Sequence, residues 1–263
     1  MIEIKDIKVY NLAEAIVKSG FPMDTGDLIE NFDYHVKCVK HYINTEFTSG
    51  LTSYDYINDE WFDIGKKHFQ RAKKLANTPS GSGHDCWTKS VRVSFNLKYS
   101  EYISPQLQRY NWFDIESSNS KMHRITKMDI KSNCNKYVDK IVIDNLQKWI
   151  DIFNDMNNGF KFYDDYLVEY GKNIEELRQK GLEIGCEDKL EIYSKYGIFM
   201  KIISNCPLGF EKWMGISTNY MQLKTILNQR KHHKLKEDYS VLCNDFILGL
   251  PLWKEIYSVE CDK

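Results

Sequence analysis

Three short stretches carry residue types that could hold or polarise an anionic ligand. The first is Ser80-Gly81-Ser82-Gly83-His84-Asp85. Its small residues let backbone N–H groups approach an anion, and the His that follows can donate to a phosphate or a ring. A plain Gly-rich turn before a strand has the same composition. The second stretch holds Gln106, Arg109, Glu116, Ser117, Ser120, Lys121, His123 and Arg124. Guanidinium forks match phosphate or carboxylate, and amides read the edges of a base. A solvated, Ser-rich loop after an amphipathic helix is the other reading. The third is Asn219, Leu223, Leu227 and Arg230, spaced four, four and three apart. On one helix, Asn219 and Arg230 then share a face about 16 Å apart. Two polar groups bracketing two leucines suit a pocket-lining helix, and an ordinary amphipathic helix with a snorkelling Arg also fits. Segments 83–124 and 219–230 are expected to fold together into one polar, cationic ligand site.

Other residues invite chemistry less well. The run Arg230-Lys231-His232-His233-Lys234-Leu235-Lys236 looks like a nucleic-acid patch, but Glu237 and Asp238 follow at once. Nucleic-acid binding through 230–236 therefore stands as an alternative, with a nucleic-acid partner not expected. His232 and His233 are adjacent and point about 100° apart on a helix, unlike a zinc-binding pair four residues apart. Cys206, in Asn205-Cys206-Pro207, has no partner base nearby and reads as a structural thiol.

The elements that must position these residues follow from periodicity and breakers. A short strand is expected at Ile2–Ile4, then a helix at 11–18 with Asn11 as N-cap. Residues 24–75 read as helical, with Asp24 or Asp27 as first cap and a stripe of Trp61, Ile64, Phe69 and Leu75. Residues 77–83 are loop. Val91–Leu97 alternates apolar and polar and is a half-buried strand. Ser104-Pro105 starts a helix, Ser at N-cap and Pro at N1, running to about Phe113. Helical spacing returns at 136–156 and again at 160–200, and a last helix is expected from Ser217 to about Leu248.

Composition limits the classes. Among 263 residues, 42% are hydrophobic and 14% aromatic, which supplies a core and argues against disorder. The 36 basic and 37 acidic residues leave a formal charge of -1, so anion affinity must be local. The start, Met1-Ile2-Glu3-Ile4-Lys5, has no signal-like apolar run, and no stretch has the length of a membrane span. The seven cysteines are odd in number and never spaced CxxC, which points to reduced thiols in a cytoplasmic protein and against disulfides or zinc. No linker divides the chain, so a single domain over 1–263 is expected.

Taken in order, the three stretches resemble the flavin-dependent thymidylate synthases, also called thymidylate synthase-complementing proteins. Gly83-His84-Asp85 stands where that family has Gly-His-Glu before an F-rich strand, and Gln106-Leu107-Gln108-Arg109 follows at the family's spacing. Asn219, Leu223, Leu227, Asn228 and Arg230 match its C-terminal Asn-x-Arg-Ser-Leu…Asn-x-Arg helix, and Pro207-Leu208 matches a Pro-Leu upstream. The resemblance covers about 80–125 and 204–245. Departures are Tyr110 and Asn111 in place of His and Arg, Met221 in place of an Arg, and Ile203 where an Arg often reaches the nucleotide. The family's Ser-x-Asn-Glu-x-Ser-x-Arg falls on Ser117 and Lys121, or, with a short insertion, on Ser117, Asn119 and Arg124.

The resemblance implies an α+β fold, rich in helix with a small antiparallel sheet. It implies methylation of dUMP to dTMP with FAD as cofactor, methylenetetrahydrofolate as carbon donor and NADPH as reductant. It also implies a homotetramer with sites between subunits. Arg230 would stabilise charge on the pyrimidine. Gln106, Arg109, Glu116, Ser117, Ser120, Lys121 and Arg124 would hold the deoxynucleotide. His84, Asn219, Leu223 and Arg109 would contact flavin. A divergent nucleotide-binding or nucleotide-modifying protein of the same fold, with flavin chemistry altered or lost, is the alternative.

Overall fold

The computed structural model describes residues 2–48, 59–79, 82–157 and 195–257. The described elements, in chain order, are β1 (Glu3–Tyr10), α1 (Leu12–Lys18), α2 (Asp27–Glu30), α3 (Phe32–Ile43), α4 (Glu60–Ala76) and β2 (Arg92–Ser100). There follow α5 (Ser104–Leu107), β3 (Asp114–Ser118), α6 (Lys121–Arg124), α7 (Lys140–Asn157), α8 (Lys195–Ser204), β4 (Glu211–Asn219), α9 (Tyr220–Arg230), α10 (Lys236–Ser240) and α11 (Trp253–Ile256), with short 3-10 and π turns among them. The fold class is as expected: many helices and one small antiparallel sheet of four strands in the order β1-β2-β4-β3. The register shows the opposed strand directions. Tyr220 N–H donates to Val91 near the start of β2, and Glu101 N–H donates to Phe210 just past its end.

Contacts divide the chain into two units. The main unit comprises Ile2–Leu97, Leu107–Glu116 and Gly215–Lys263. The second comprises Lys98–Gln106 and Ser117–Met214, with Met1. β2, β3 and β4 each pass from one unit into the other.

In the main unit, α4 is capped by Asp59, whose carboxylate accepts from Phe62 N–H at 3.1 Å. Its buried face is Phe62, Gly65, His68, Phe69, Ala72 and Ala76. Of the expected stripe only Phe69 lies on that face, because Gly and Ala carry it where α3 crosses. A Cβ on Gly65 would fall against the Cys38 carbonyl and Tyr42 Cβ, so the two backbones meet there. A polar chain runs through this layer. Arg71 Nη2 contacts His68 Nδ1 at 2.7 Å, His68 Nε2 contacts His35 Nδ1 at 3.0 Å, and His35 Nε2 contacts Asp27 Oδ2 at 3.2 Å.

Several local expectations need correction. β1 extends to Tyr10 rather than ending at Ile4. Asn11 does stand at the N-cap of α1, but at φ 62 its side chain makes no capping bond. Neither Asp24 nor Asp27 is the N-cap of α2, which is Gly26; Asp24, two residues before that cap, accepts from Leu28 N–H at 3.1 Å. Ser104 is already helical (φ -49, ψ -50), so it is no N-cap, and α5 stops at Leu107 instead of Phe113. From its last residue on, the apolar Leu107, Tyr110 and Phe113 recur every three residues and are carried by successive turns. The strand expected at 91–97 is present, with Val93, Phe95 and Leu97 buried.

The largest correction concerns the C-terminal helix. Residues 211–219 are strand β4, alternating buried Met214, Ile216 and Thr218, so no helix begins at Ser217. α9 begins at Tyr220 and ends at Arg230, and α10 is a separate helix. Asn219 is thus the N-cap of α9, accepting from Gln222 N–H at 2.9 Å, and not a residue on the helix face.

In the second unit α7 and α8 pack around Ile125, Ile130, Leu146, Ile150, Ile198, Ile202 and Phe210. The expected helix at 136–156 is α7. Of that expected at 160–200, residues 158–194 lie outside the described ones.

Candidate functional site

The main unit brings segments 83–85 and 107–116 onto α9. Gly83 turns at φ 79, a left-handed conformation suited to Gly, and leaves His84 exposed. Asp85 is buried and lies 3.6 Å from Lys224 Nζ, which also donates to the Ala76 carbonyl at 2.7 Å. This pair ties the His84 loop to the middle of α9.

At the other end of α9 stands Arg230. Its Nε donates to Tyr110 Oη at 2.7 Å, and that hydroxyl donates to Gln229 Oε1 at 3.1 Å. The guanidinium carbon lies 5.6 Å from the Tyr110 ring centroid and 5.4 Å from that of Tyr239, within cation–π reach of both. Burial pushes the Tyr239 hydroxyl up to about 12, against the pull of Arg230, so the ring stays neutral. His233 stacks edge-on to Tyr239 at 4.6 Å and accepts from Leu235 N–H through Nδ1. Burial, then the charges of Arg230 and Lys234, lower its pKa, which favours a neutral ring with its proton on Nε2. The result is a cation held beside two tyrosine rings, able to stabilise negative charge on a ligand.

The other expected site residues in this unit divide by exposure. Arg109 is exposed, with no side-chain hydrogen bond or ion pair among the described residues, and Glu116 is exposed beside Gly215. Asn219 and Leu223 are buried, at 1% and 0% exposure.

In the second unit Lys121 donates to Glu101 at 2.9 Å, and Lys212 approaches the same carboxylate at 3.5 Å. Lys98 pairs with Glu211 at 3.0 Å. Ser120 caps α6 by accepting from His123 N–H at 3.4 Å. Gln106 is half-buried and Ser117 exposed. Arg124 is exposed without a side-chain partner among the described residues. Burial pushes the Cys206 thiol up to about 12, as suits a structural cysteine.

Tyr110, Tyr239, Gln229 and Lys224 are site residues that sequence reasoning did not pick. Tyr110 stood out only as a departure from a motif, and nothing in the sequence pairs it with a residue 120 positions away.

No family model matches the chain, and no curated protein matches it in sequence. Solved structures are similar to it in fold. Two are ThyX, a flavin-dependent thymidylate synthase from Helicobacter pylori with FAD and dUMP. One is 12% identical with a TM-score of 0.44, covering 97% of this chain and 99% of that one. The other is 13% identical with a TM-score of 0.46, covering 97% and 94%. A third is the UMP/dUMP methylase PolB from Streptomyces cacaoi bound with 5-Br dUMP, 12% identical with a TM-score of 0.45, covering 98% and 94%.

Proposed function

We propose that this protein is a nucleotide-modifying enzyme acting on a pyrimidine deoxynucleotide, and more finely a flavin-dependent thymidylate synthase-like methylating enzyme. The observation that carries the reading is Arg230, held by Tyr110 with no other hydrogen bond among the described residues. A cation fixed before the ligand arrives needs no reorganisation when charge develops on a pyrimidine ring. Arg109, exposed and without a side-chain partner among the described residues, suits the anionic parts of a nucleotide or of FAD. Of the two cations expected at the substrate phosphate, Lys121 is neutralised by Glu101, and Arg124 has no side-chain partner among the described residues.

The residues expected around flavin fit in part. His84 and Arg109 are exposed donors, and α9, from its buried cap Asn219 through buried Leu223, is the scaffold that carries Arg230. When bound, reduced FAD would supply the reducing equivalents for methylation, with methylenetetrahydrofolate giving the carbon and NADPH the electrons. The chain's own work is to hold the nucleotide, oppose its ring charge with Arg230 and keep that cation in place between the Tyr110 and Tyr239 rings. The burial of Asn219 and Leu223 favours a second reading, a nucleotide-modifying protein of this fold with flavin contacts altered.

The purified protein should show a flavin spectrum that dUMP perturbs, and it should rescue growth of a thymidine-requiring strain. A colourless protein that cannot be reconstituted with FAD sinks the synthase reading and leaves the second one. Arg230→Ala should abolish turnover in the folded protein, and retained turnover would refute the role given to Arg230.

A further inference from the structure

A helix-terminal Arg ordinarily reaches into solvent, but Arg230 is turned back onto Tyr110. The direction of the Arg230 bond is forced, and the Gln229 amide presents its oxygen to the phenol. A guanidinium only donates, so the phenol oxygen accepts from Nε, and its single proton goes to Gln229 Oε1. Both functions of the Tyr110 hydroxyl are therefore used inside the protein. Tyr110 is itself set rigidly. Its N–H donates to Leu107, Phe113 N–H donates to the Tyr110 carbonyl, and Leu107 and Phe113 are buried anchors on either side. Between them Trp112 sits at φ 71 and 52% exposed, a left-handed conformation that a bulky residue adopts only under constraint.

We propose that Tyr110 is the positioning residue of this site. Its hydroxyl occupies Arg230 Nε, so that the guanidinium offers only its Nη groups, and a ligand acceptor must enter in the guanidinium plane from that side. Tyr239, on the cation's other neighbouring ring, limits rotation out of that plane. The ligand this arrangement suits is a flat, charge-bearing oxygen edge such as that of a pyrimidine base, which rests on the nucleotide reading above. Tyr110 acts through Arg230 and need not touch the ligand.

The test reads orientation and binding separately. In the full chain labelled with 15N-arginine, the Arg230 Nε–H, assigned by its loss in Arg230→Lys, should exchange at least about tenfold more slowly than that of Arg109. Tyr110→Phe keeps the ring and deletes the hydroxyl, and should bring the two rates together. Unchanged protection in Tyr110→Phe overturns the proposal. Should that variant fail to fold, Gln229→Leu at an exposed position frees the phenol and should raise the Arg230 rate several-fold, and no change there overturns it equally. In titrations with dUMP, Tyr110→Phe should weaken binding about tenfold, the worth of one charge-assisted contact. Equal affinity in the wild type and Tyr110→Phe also overturns it. A wild type that binds no dUMP defeats the nucleotide reading alone, and the exchange rates still decide the role of Tyr110.

Discussion

Two arginines of the main unit, Arg71 and Arg230, each meet aromatic or imidazole rings, yet they end in opposite situations. Arg71 contacts His68, Ser19 Oγ and the Val17 carbonyl within the helix layer. Because Arg can only donate, His68 Nδ1 must accept, which places its proton on Nε2 toward His35, whose own Nε2–H then faces Asp27. Arg71 Nε and Nη2 are both used, and the chain ties α1, α2, α3 and α4 together. Arg230 spends one N–H on Tyr110 and has no other hydrogen bond among the described residues. A closed polar network fixes a fold; an open one can take a ligand. Burial and ring contacts alone do not separate the two cases, whereas a donor-by-donor inventory does.

The comparison breaks if the two arginines respond alike. Arg71→Leu leaves buried His68 Nδ1 without its donor, while the Val17 carbonyl keeps Gly20 N–H, and should cost about 2 kcal/mol in urea unfolding. A loss below about 1 kcal/mol would mean the chain is not a structural unit.

Acid should act on the same chain. Burial, then Arg71 and then His35, push His68 from 6.5 down to about 4. The unfolded state therefore binds the extra proton between those values. Stability is full above about pH 6.5 and falls as pH drops toward 4, by up to about 3 kcal/mol. Urea midpoints across that range measure it, and His68→Gln should flatten the slope.

Arg230→Ala should leave stability within about 1 kcal/mol of wild type, since the buried Tyr110 hydroxyl keeps its bond to exposed Gln229. Ligand binding should nonetheless be lost. A large stability loss with binding intact would invert the contrast.

Much of the fold could be read along the chain. The alternation at Val91–Leu97 became β2, and the apolar spacing at 136–156 became α7. β3 was not legible, because Asp114–Ser118 is exposed throughout and shows no apolar alternation. β4 was missed for another reason. Its alternation, Met214, Ile216 and Thr218, runs directly into the helical spacing of α9, and the longer pattern masked the shorter. The same overlap put Asn219 on a helix face, when its short polar side chain and extended backbone make it the cap.

The sequence by itself determined the types of group available: a cationic set around Arg109, Arg124 and Arg230, and a helix joining Leu223 to Arg230. Local spacing sufficed there, because a helix fixes which residues share a face within a few turns. Only the tertiary structure decided which cations stay open. Lys121 is neutralised by Glu101, 20 residues away, and Arg230 is held by Tyr110, 120 residues away. Such pairings depend on how turns and strands return the chain to itself, and no local pattern records that.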